Sequence, residues 1–172
     1  SANQEIKFST DSNVDTKWCV IHEGRPVVWQ CEAGTNGATA RGYRFTSAED
    51  VPARDPRTWK LEGSLDGKTW TTLDEHTDEP VFENRHQTKA YTIAQPTACR
   101  FFRFTFFPNP GVTHFQVSEI SIDGVTPTAT AWQDYSRTLD LRTAAATIAY
   151  KKDGQTFTRE HFVSAPDEVF VS

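Results

Sequence analysis

The sequence contains no methionine, only three cysteines, no long apolar run and no excess of positive charge. Each shortage removes a class of answer. Without Met the chain has no translation start, so it reads as a processed product or an excised piece, with any targeting segment already gone. No apolar stretch reaches the ~18 residues that a membrane span needs. The densest run, CRFFRFTFF at 99–107, is broken by Arg100, Arg103 and Thr105. A net charge of −5, with no basic cluster, speaks against nucleic acid as a partner, because phosphates select basic surfaces. Cys19, Cys31 and Cys99 lack metal-finger spacing and leave open one disulfide plus a free thiol, or three buried thiols. Long helical periodicity is also missing.

What is present is alternation. The 172 residues suit one domain, or one domain with an appendage, and 12 Phe with 5 Trp supply a core. EIKFS (5–9), VVWQC (27–31), ARGYRFT (40–46) and TWKLEGSL (58–65) read as short strands. In the last of these Trp59, Leu61 and Leu65 share one face, and Asp66-Gly67 followed by KTWTTL predicts a hairpin. A polar loop (74–88) leads to KAYTI (89–93), the Phe-rich run and FQVSEISI (115–122), again strand-like. In the Phe-rich run Phe102, Phe104 and Phe106 fall on one face, with Phe101, Arg103, Thr105 and Phe107 on the other. Short strands separated by Gly, Pro and Asp turns predict an all-β sandwich or barrel.

The character changes after Gly124. A Pro/Thr-rich linker over 125–133 precedes YSRTLDL, ATIAYKK, QTFTREHFVS and EVFVS, with Asp153-Gly154 marking a second hairpin. The segment is too short for a sandwich of its own, so it packs on the first domain or belongs to a larger one.

Chemistry-bearing motifs are sparse. DSNVDTKW (11–18) begins like a calcium-binding EF-hand loop, but that loop needs Gly and Glu where this chain has Thr16 and His22. A looser cation loop survives, completed by a distant carboxylate for which Glu119 is the candidate; the alternative is a self-bonded Asx-turn. His22-Glu23 lacks the second His of a zinc protease, and Ser64 lacks the strand-to-helix elbow of a nucleophile. DEHTDE (74–79) reads as a solvated loop. More informative are three polar connections: HEGRP (22–26), SAEDVPARDPR (47–57) and PNPGVTH (108–114). Their His22, Arg25, Arg54, Asn109 and His114 carry donors suited to sugar hydroxyls. Arg54-Asp55 reads first as an ion pair clipping a long loop, ahead of ligand contact.

DSNVDTKW, RDPRTWKLEGSLDGKTWTTLD and FQVSEISIDG together resemble a discoidin, or coagulation-factor type C, domain over about residues 5–124. That family includes the family 32 carbohydrate-binding modules of bacteria. The resemblance implies a jelly-roll β-sandwich of the galactose-binding-domain type that binds sugars through loops at one end. It also implies a structural calcium held by Asp11, Asn13, Thr16, Ser118 (through its carbonyl) and Glu119. Ser12 stands where the family usually has Gly. RHQTKAY (85–91) resembles a framework stretch, which makes Arg85 and His86 structural. Thr46 and Ser47 stand where galactose-binding members often have Arg, so galactose specificity does not transfer. The tail over about 134–172 is similar to part of the N-terminal β domain of family 95 glycoside hydrolases, α-L-fucosidases and relatives.

The expected organisation is a carbohydrate-binding module over 1–124, the linker, and over 134–172 a β-hairpin extension belonging to a partial glycoside hydrolase domain. The expected function is non-catalytic binding of terminal sugars for a larger, secreted, periplasmic or cell-surface bacterial glycoside hydrolase. The expected partners are a glycan and the rest of that enzyme. The alternative is a structural or protein-interaction module that positions the catalytic domain. An enzyme in its own right is the third reading.

Overall fold

The computed structural model describes residues 4–34, 36–126, 133–140, 145–152, 155–164 and 169–171. The chain divides into two compact units, Ser1–Thr128 and Ala129–Ser172.

In the first unit the strands are β1 (Trp18–Ile21), β2 (Val27–Glu32), β3 (Ala38–Thr39), β4 (Gly42–Thr46), β5 (Trp59–Ser64) and β6 (Thr71–His76). After these come β7 (Thr88–Thr92), β8 (Ala98–Cys99), β9 (Phe101–Phe106), β10 (His114–Val117) and β11 (Glu119–Ile122). One sheet has the order β2-β9-β5-β6 and the other β11-β4-β7, with two-stranded ribbons β1-β10 and β3-β8 beside them. All the pairings are antiparallel.

Alternation puts whole rows of rings inside. Register places Val27, Phe106 and Trp59 in one row across β2, β9 and β5, and Trp29, Phe104 and Leu61 in the next. From the opposing sheet Phe45 reaches Trp59 at 5.1 Å and Phe104 at 5.1 Å between ring centroids. Trp59, Tyr43, Phe45, Phe102, Phe104 and Phe106 are fully buried, and each such side chain contributes on the order of 2–3 kcal/mol of burial free energy. A β-bulge shifts β6 by one residue between the Leu61 and Glu62 pairings. It turns the Asp74 carboxylate inward, where Tyr43 Oη donates to it at 2.8 Å while accepting from Trp59 Nε1 at 2.8 Å. The polar tips of two buried aromatics are thereby satisfied.

Four expectations change. DEHTDE is not a solvated loop: β6 runs on to His76, whose ring stacks on Trp59 at 4.7 Å, and Asp74 is held by Tyr43. EIKFS is no strand: Ile6–Ser9 forms a 3₁₀ turn in which Ser9 Oγ donates to the Ile6 carbonyl at 2.7 Å. The turn carries Ser9 under Trp29, whose Nε1 donates to that hydroxyl at 3.1 Å. Leu65 does not join Trp59 and Leu61 in the core; β5 ends at Ser64 and Leu65 is 70% exposed. The run 115–122 is two strands, because β10 pairs with β1 whereas β11 pairs with β4. Ser118 is the break between them, its N–H donating to the Thr46 carbonyl at 2.9 Å. The Asp66-Gly67 hairpin forms, with Gly67 at φ 71° and Asp66 accepting from the N–H groups of Lys68 and Thr69.

The second unit is an antiparallel meander of β12 (Gln133–Asp140), β13 (Ala145–Lys152), β14 (Gln155–Ser164) and β15 (Val169–Val171). The extension is thus a four-stranded sheet, with the expected hairpin as its β13–β14 pair. The Asp153-Gly154 turn and most of the linker lie outside the described residues.

Gly63 packs against the one buried thiol on β8. A Cβ there would lie 2.3 Å from Cys99 Sγ and 2.8 Å from Leu73 Cδ1. Gly63→Ala is expected to lower the unfolding free energy by about 1–3 kcal/mol in urea titration, and adding Cys99→Ala to recover part of that loss.

Candidate functional site

Two groups of sequence-predicted residues assemble on the first unit. The first is the rim loop that follows the opening 3₁₀ turn. Asn13 N–H donates to Asp11 Oδ1 at 3.0 Å and to Glu119 Oε1, 106 residues further along the chain, at 3.1 Å, so one donor joins two carboxylates distant in sequence. Thr16 Oγ1 lies 2.9 Å from Asp11 Oδ2 and 2.8 Å from the Asn13 carbonyl, and Asn13 Oδ1 accepts from Asp15 N–H at 3.1 Å. Ser118 approaches with its hydroxyl, which lies 2.8 Å from each of the Val14 and Thr16 carbonyls. Ser12 has φ 61°, the left-handed conformation that glycine takes freely. The departure at this position is therefore accommodated by a serine held in a glycine's conformation.

Electrostatics splits the two acids. Burial pushes Asp11 up, but hydrogen bonds from Thr16 and Asn13 outweigh it and hold its carboxyl below the usual range. Burial, then the facing Asp11 carboxyl, pushes Glu119 up to about 7. Asp11 therefore ionises first, and Glu119 holds its proton only below about pH 7. Two facing carboxylates with threonine, serine and backbone oxygens around them are the hard donors that a calcium ion takes. Among the described residues no three His, Cys, Asp or Glu side chains gather around a common point.

The second group lies on the loops. His22 N–H donates to the Thr113 carbonyl at 3.2 Å, and His22 Nε2 donates to the Val112 carbonyl at 2.7 Å. Its Nδ1 accepts from Gly24 N–H at 3.0 Å, which fixes the tautomer and the tight turn leading to Arg25. Ile21 pairs with His114, whose Nδ1 lies 2.8 Å from Thr113 Oγ1. Asn109 Nδ2 donates to the Ala53 carbonyl at 2.8 Å and the Asp55 carbonyl at 2.9 Å. The 108–114 loop is therefore stitched to both 22–26 and 47–57, and the three connections converge. Asn109 is a clip whose two amide hydrogens are already used. Arg25 and Arg54 make no ion pair among the described residues.

The Arg54-Asp55 clip does not form. Asp55, 2% exposed, pairs instead with Arg85 Nη2 at 2.6 Å and accepts from Gln116 Nε2 at 3.3 Å. Burial pushes its carboxyl up against the pull of Arg85. Sequence reasoning assigned Arg85 a framework role and passed over Gln116. No local signal marked it: Gln116 alternates with Phe115 and Val117 as an outward polar residue would, and only the structure shows it fully buried. Lys17, also buried, is held by Glu49 at 2.9 Å and Asp50 at 2.7 Å. Two surface depressions, of 290 and 260 Å³, lie instead by the β5–β6 hairpin and share Thr71 and Thr97.

The F5/8 type C domain model matches residues 1–120, and the model described as glycosyl hydrolase family 65, N-terminal domain, matches 84–172. The sequence resemblance pointed the tail to family 95, and the model that matches carries the number 65. A peptide-N(4)-(N-acetyl-beta-glucosaminyl)asparagine amidase of Arabidopsis thaliana is 50% identical over 66 residues, which cover 37% of this chain and 9% of that protein. The chain thus spans about a tenth of the length of the curated relatives it matches. Among solved structures, a Clostridium perfringens CBM32 module in complex with GalNAc-β-1,3-galactose superposes with TM-score 0.56 at 14% identity, covering 67% of this chain and 81% of that one. An F5/8 type C domain of Bacteroides fragilis superposes with TM-score 0.59 at 15% identity, covering 70% and 81%. At such identities the likeness shows the fold, a galactose-binding-like β-sandwich.

The acid pair gives the unit a pH signature. The folded state binds the Glu119 proton more tightly than the unfolded chain, in which the group titrates near its ordinary 4.5. Its contribution to stability is whole below that value and is lost as pH climbs through about 7. Asp11 acts oppositely, and only in the acid range below its ordinary 3.8. Without added cations, urea midpoints are expected to fall between pH 5 and pH 8, and Glu119→Gln to flatten that slope.

Proposed function

The chain belongs to the F5/8 type C domain family over residues 1–120, and from that premise we propose that it is a non-catalytic glycan-binding module. Terminal sugars are met by the loops 22–26, 47–57 and 108–114. One observation carries the reading: hydrogen bonds lock these loops together while the guanidinium groups of Arg25 and Arg54 are left without an acidic partner among the described residues. A rigid frame bearing unspent planar donors suits vicinal hydroxyls, and the His114 ring adds a flat surface. The disaccharide bound by the C. perfringens module is consistent with this class of ligand.

The match over 84–172 supports a larger glycoside hydrolase as the host; the finer reading, an α-L-fucosidase, rests on the resemblance of the tail to family 95 alone. A secreted, periplasmic or cell-surface bacterial setting goes with that host. The same match favours a second reading, in which the chain positions a catalytic domain and binds no sugar.

Calorimetry with galactose, fucose and N-acetylgalactosamine tests the choice. Arg54→Ala and His114→Ala are expected to weaken binding by about tenfold or more, the worth of a charge-assisted hydrogen bond, with melting temperatures held within a few degrees. Asn109→Ala, by contrast, is expected to lower stability because it unclips two carbonyls. Absence of binding across a glycan array would favour the positioning reading.

At the rim, Asp11, Asn13, Thr16, Ser118 and Glu119 would hold a structural calcium, which would draw the two carboxylates together and pin the loop. A cation bound only by the folded state stabilises by mass action. Chelation is therefore expected to lower the melting temperature and added calcium to restore it. An unchanged melting curve in chelator at neutral pH removes the metal.

A further inference from the structure

Residues 48–55 cross one end of the sandwich without joining a sheet, and their only regular element is the 3₁₀ turn Pro52–Arg54. Side chains from four other parts of the chain nevertheless engage them: Lys17 pairs with the Glu49 and Asp50 carboxylates, and Arg85, Asn109 and Gln116 take the rest. Arg85 Nη1 donates to the Ala48 carbonyl at 3.0 Å and to the Asp50 carbonyl at 2.8 Å, while its Nη2 takes the Asp55 carboxylate at 2.6 Å. Gln116 Nε2 reaches the Val51 carbonyl at 3.1 Å and Asn109 Nδ2 the Ala53 carbonyl at 2.8 Å. Ser47 is clipped where the loop begins, its N–H donating to the Gln87 carbonyl at 3.0 Å. The guanidinium of Arg85 spans the loop from its first residues to its last. The next residue, His86, has φ 57°, a conformation an L-residue rarely takes without outside support.

Gln116 shows which way the design leans. Its amide nitrogen faces three acceptors on the loop, so the amide cannot be turned round, and Oε1 is buried without a partner. Leaving a buried acceptor unmet is costly, and holding the loop carbonyls takes precedence here. Every contact of Arg85, Gln116 and Asn109 falls on main-chain oxygens or on Asp55, while Lys17 takes the Glu49 and Asp50 carboxylates. The guanidinium of Arg54, in the middle of the clamped segment, is not among the clamping groups.

We propose that Arg85 is a positioning residue for the sugar site: gripping both ends of loop 47–57, it fixes the turn that presents Arg54, so that the tip is ordered before a ligand arrives. The proposal rests on the glycan-binding reading for its ligand, and on the clamp geometry for everything else. Ordering a loop at the moment of binding subtracts from affinity, and a clamp moves that cost into folding. Arg85 itself touches no ligand.

Two measurements test it separately. Hydrogen exchange on the free protein is expected to show faster exchange at amides 48–55 in Arg85→Gln, with the amides of β4, β5 and β9 unchanged. Calorimetry with galactose, fucose and N-acetylgalactosamine is expected to show about fivefold to tenfold weaker binding, the loss falling in the entropy. Arg85→Lys, which meets Asp55 with a point charge but lacks the fork, is expected to fall between. Arg54→Ala should cost less in the Arg85→Gln background than in the wild type, because a mobile loop presents it poorly. If Arg85→Gln alone fails to fold, Arg85→Gln with Asp55→Asn removes the stranded carboxylate and takes the same tests. Unchanged exchange at 48–55 overturns the clamp, and wild-type affinity with a loosened loop overturns its role in binding. If the wild type binds none of the three sugars, the glycan reading falls while the exchange data still decide the clamp.

Discussion

Ring packing between the two sheets is the constraint from which the rest of the first unit follows. Tyr43 and Phe45 on one sheet meet Trp59, Phe104 and Phe106 on the other at centroid distances of 5.1 to 6.5 Å, mostly edge-on or tilted. Such contacts favour particular angles, so they set register as well as supplying burial. The Trp59–Tyr43–Asp74 chain then puts a polar thread through the same core, and its geometry depends on the bulge in β6. Burial pushes the Tyr43 hydroxyl far above its usual range, so it remains a neutral donor and acceptor.

A stiff interior permits irregular ends. The loops carry little regular structure, yet each is tied down by side chains whose partners are backbone carbonyls or single carboxylates. Charge is handled the same way. Lys17 and Asp55 are buried with opposite partners in contact, and Glu62, 7% exposed, lies between Lys60 and Arg103. Pairing of this kind specifies a geometry more reliably than it adds stability. Arg25 and Arg54, like Arg41, have no acidic partner among the described residues, and it is the place of the first two on the converging loops that draws the functional reading.

Strands whose alternation is clean were legible in the sequence. VVWQC, GYRFT and the Phe-rich run of β9 sit where the pattern puts them. What failed were places where a long-range hydrogen bond overrode the pattern. EIKFS alternates, but Ser9 is drawn under Trp29; FQVSEISI reads as one strand, but Ser118 hands the chain from β1 to β4. The four-residue β1 and the two-residue β3 and β8 were too short to leave a period. At the candidate site the sequence offered residues, and the structure brings the loops of His22, Asn109 and His114 together. Their roles could not be read. Asp55 had an arginine beside it in sequence and chose another 30 residues away, and the amide of Asn109 was already engaged. Nothing local encodes such choices, because they depend on which loops the sheets bring together.

Cys19, Cys31 and Cys99 are all free thiols, and burial pushes Cys31 up to about 12 and raises the other two. Protonated sulfur of this kind is a poor nucleophile and behaves as packing material. No covalent staple among the described residues ties the sandwich together, so its integrity is indifferent to glutathione or to an oxidising folding catalyst. A sandwich held by packing and hydrogen bonds alone needs no oxidising compartment in order to fold.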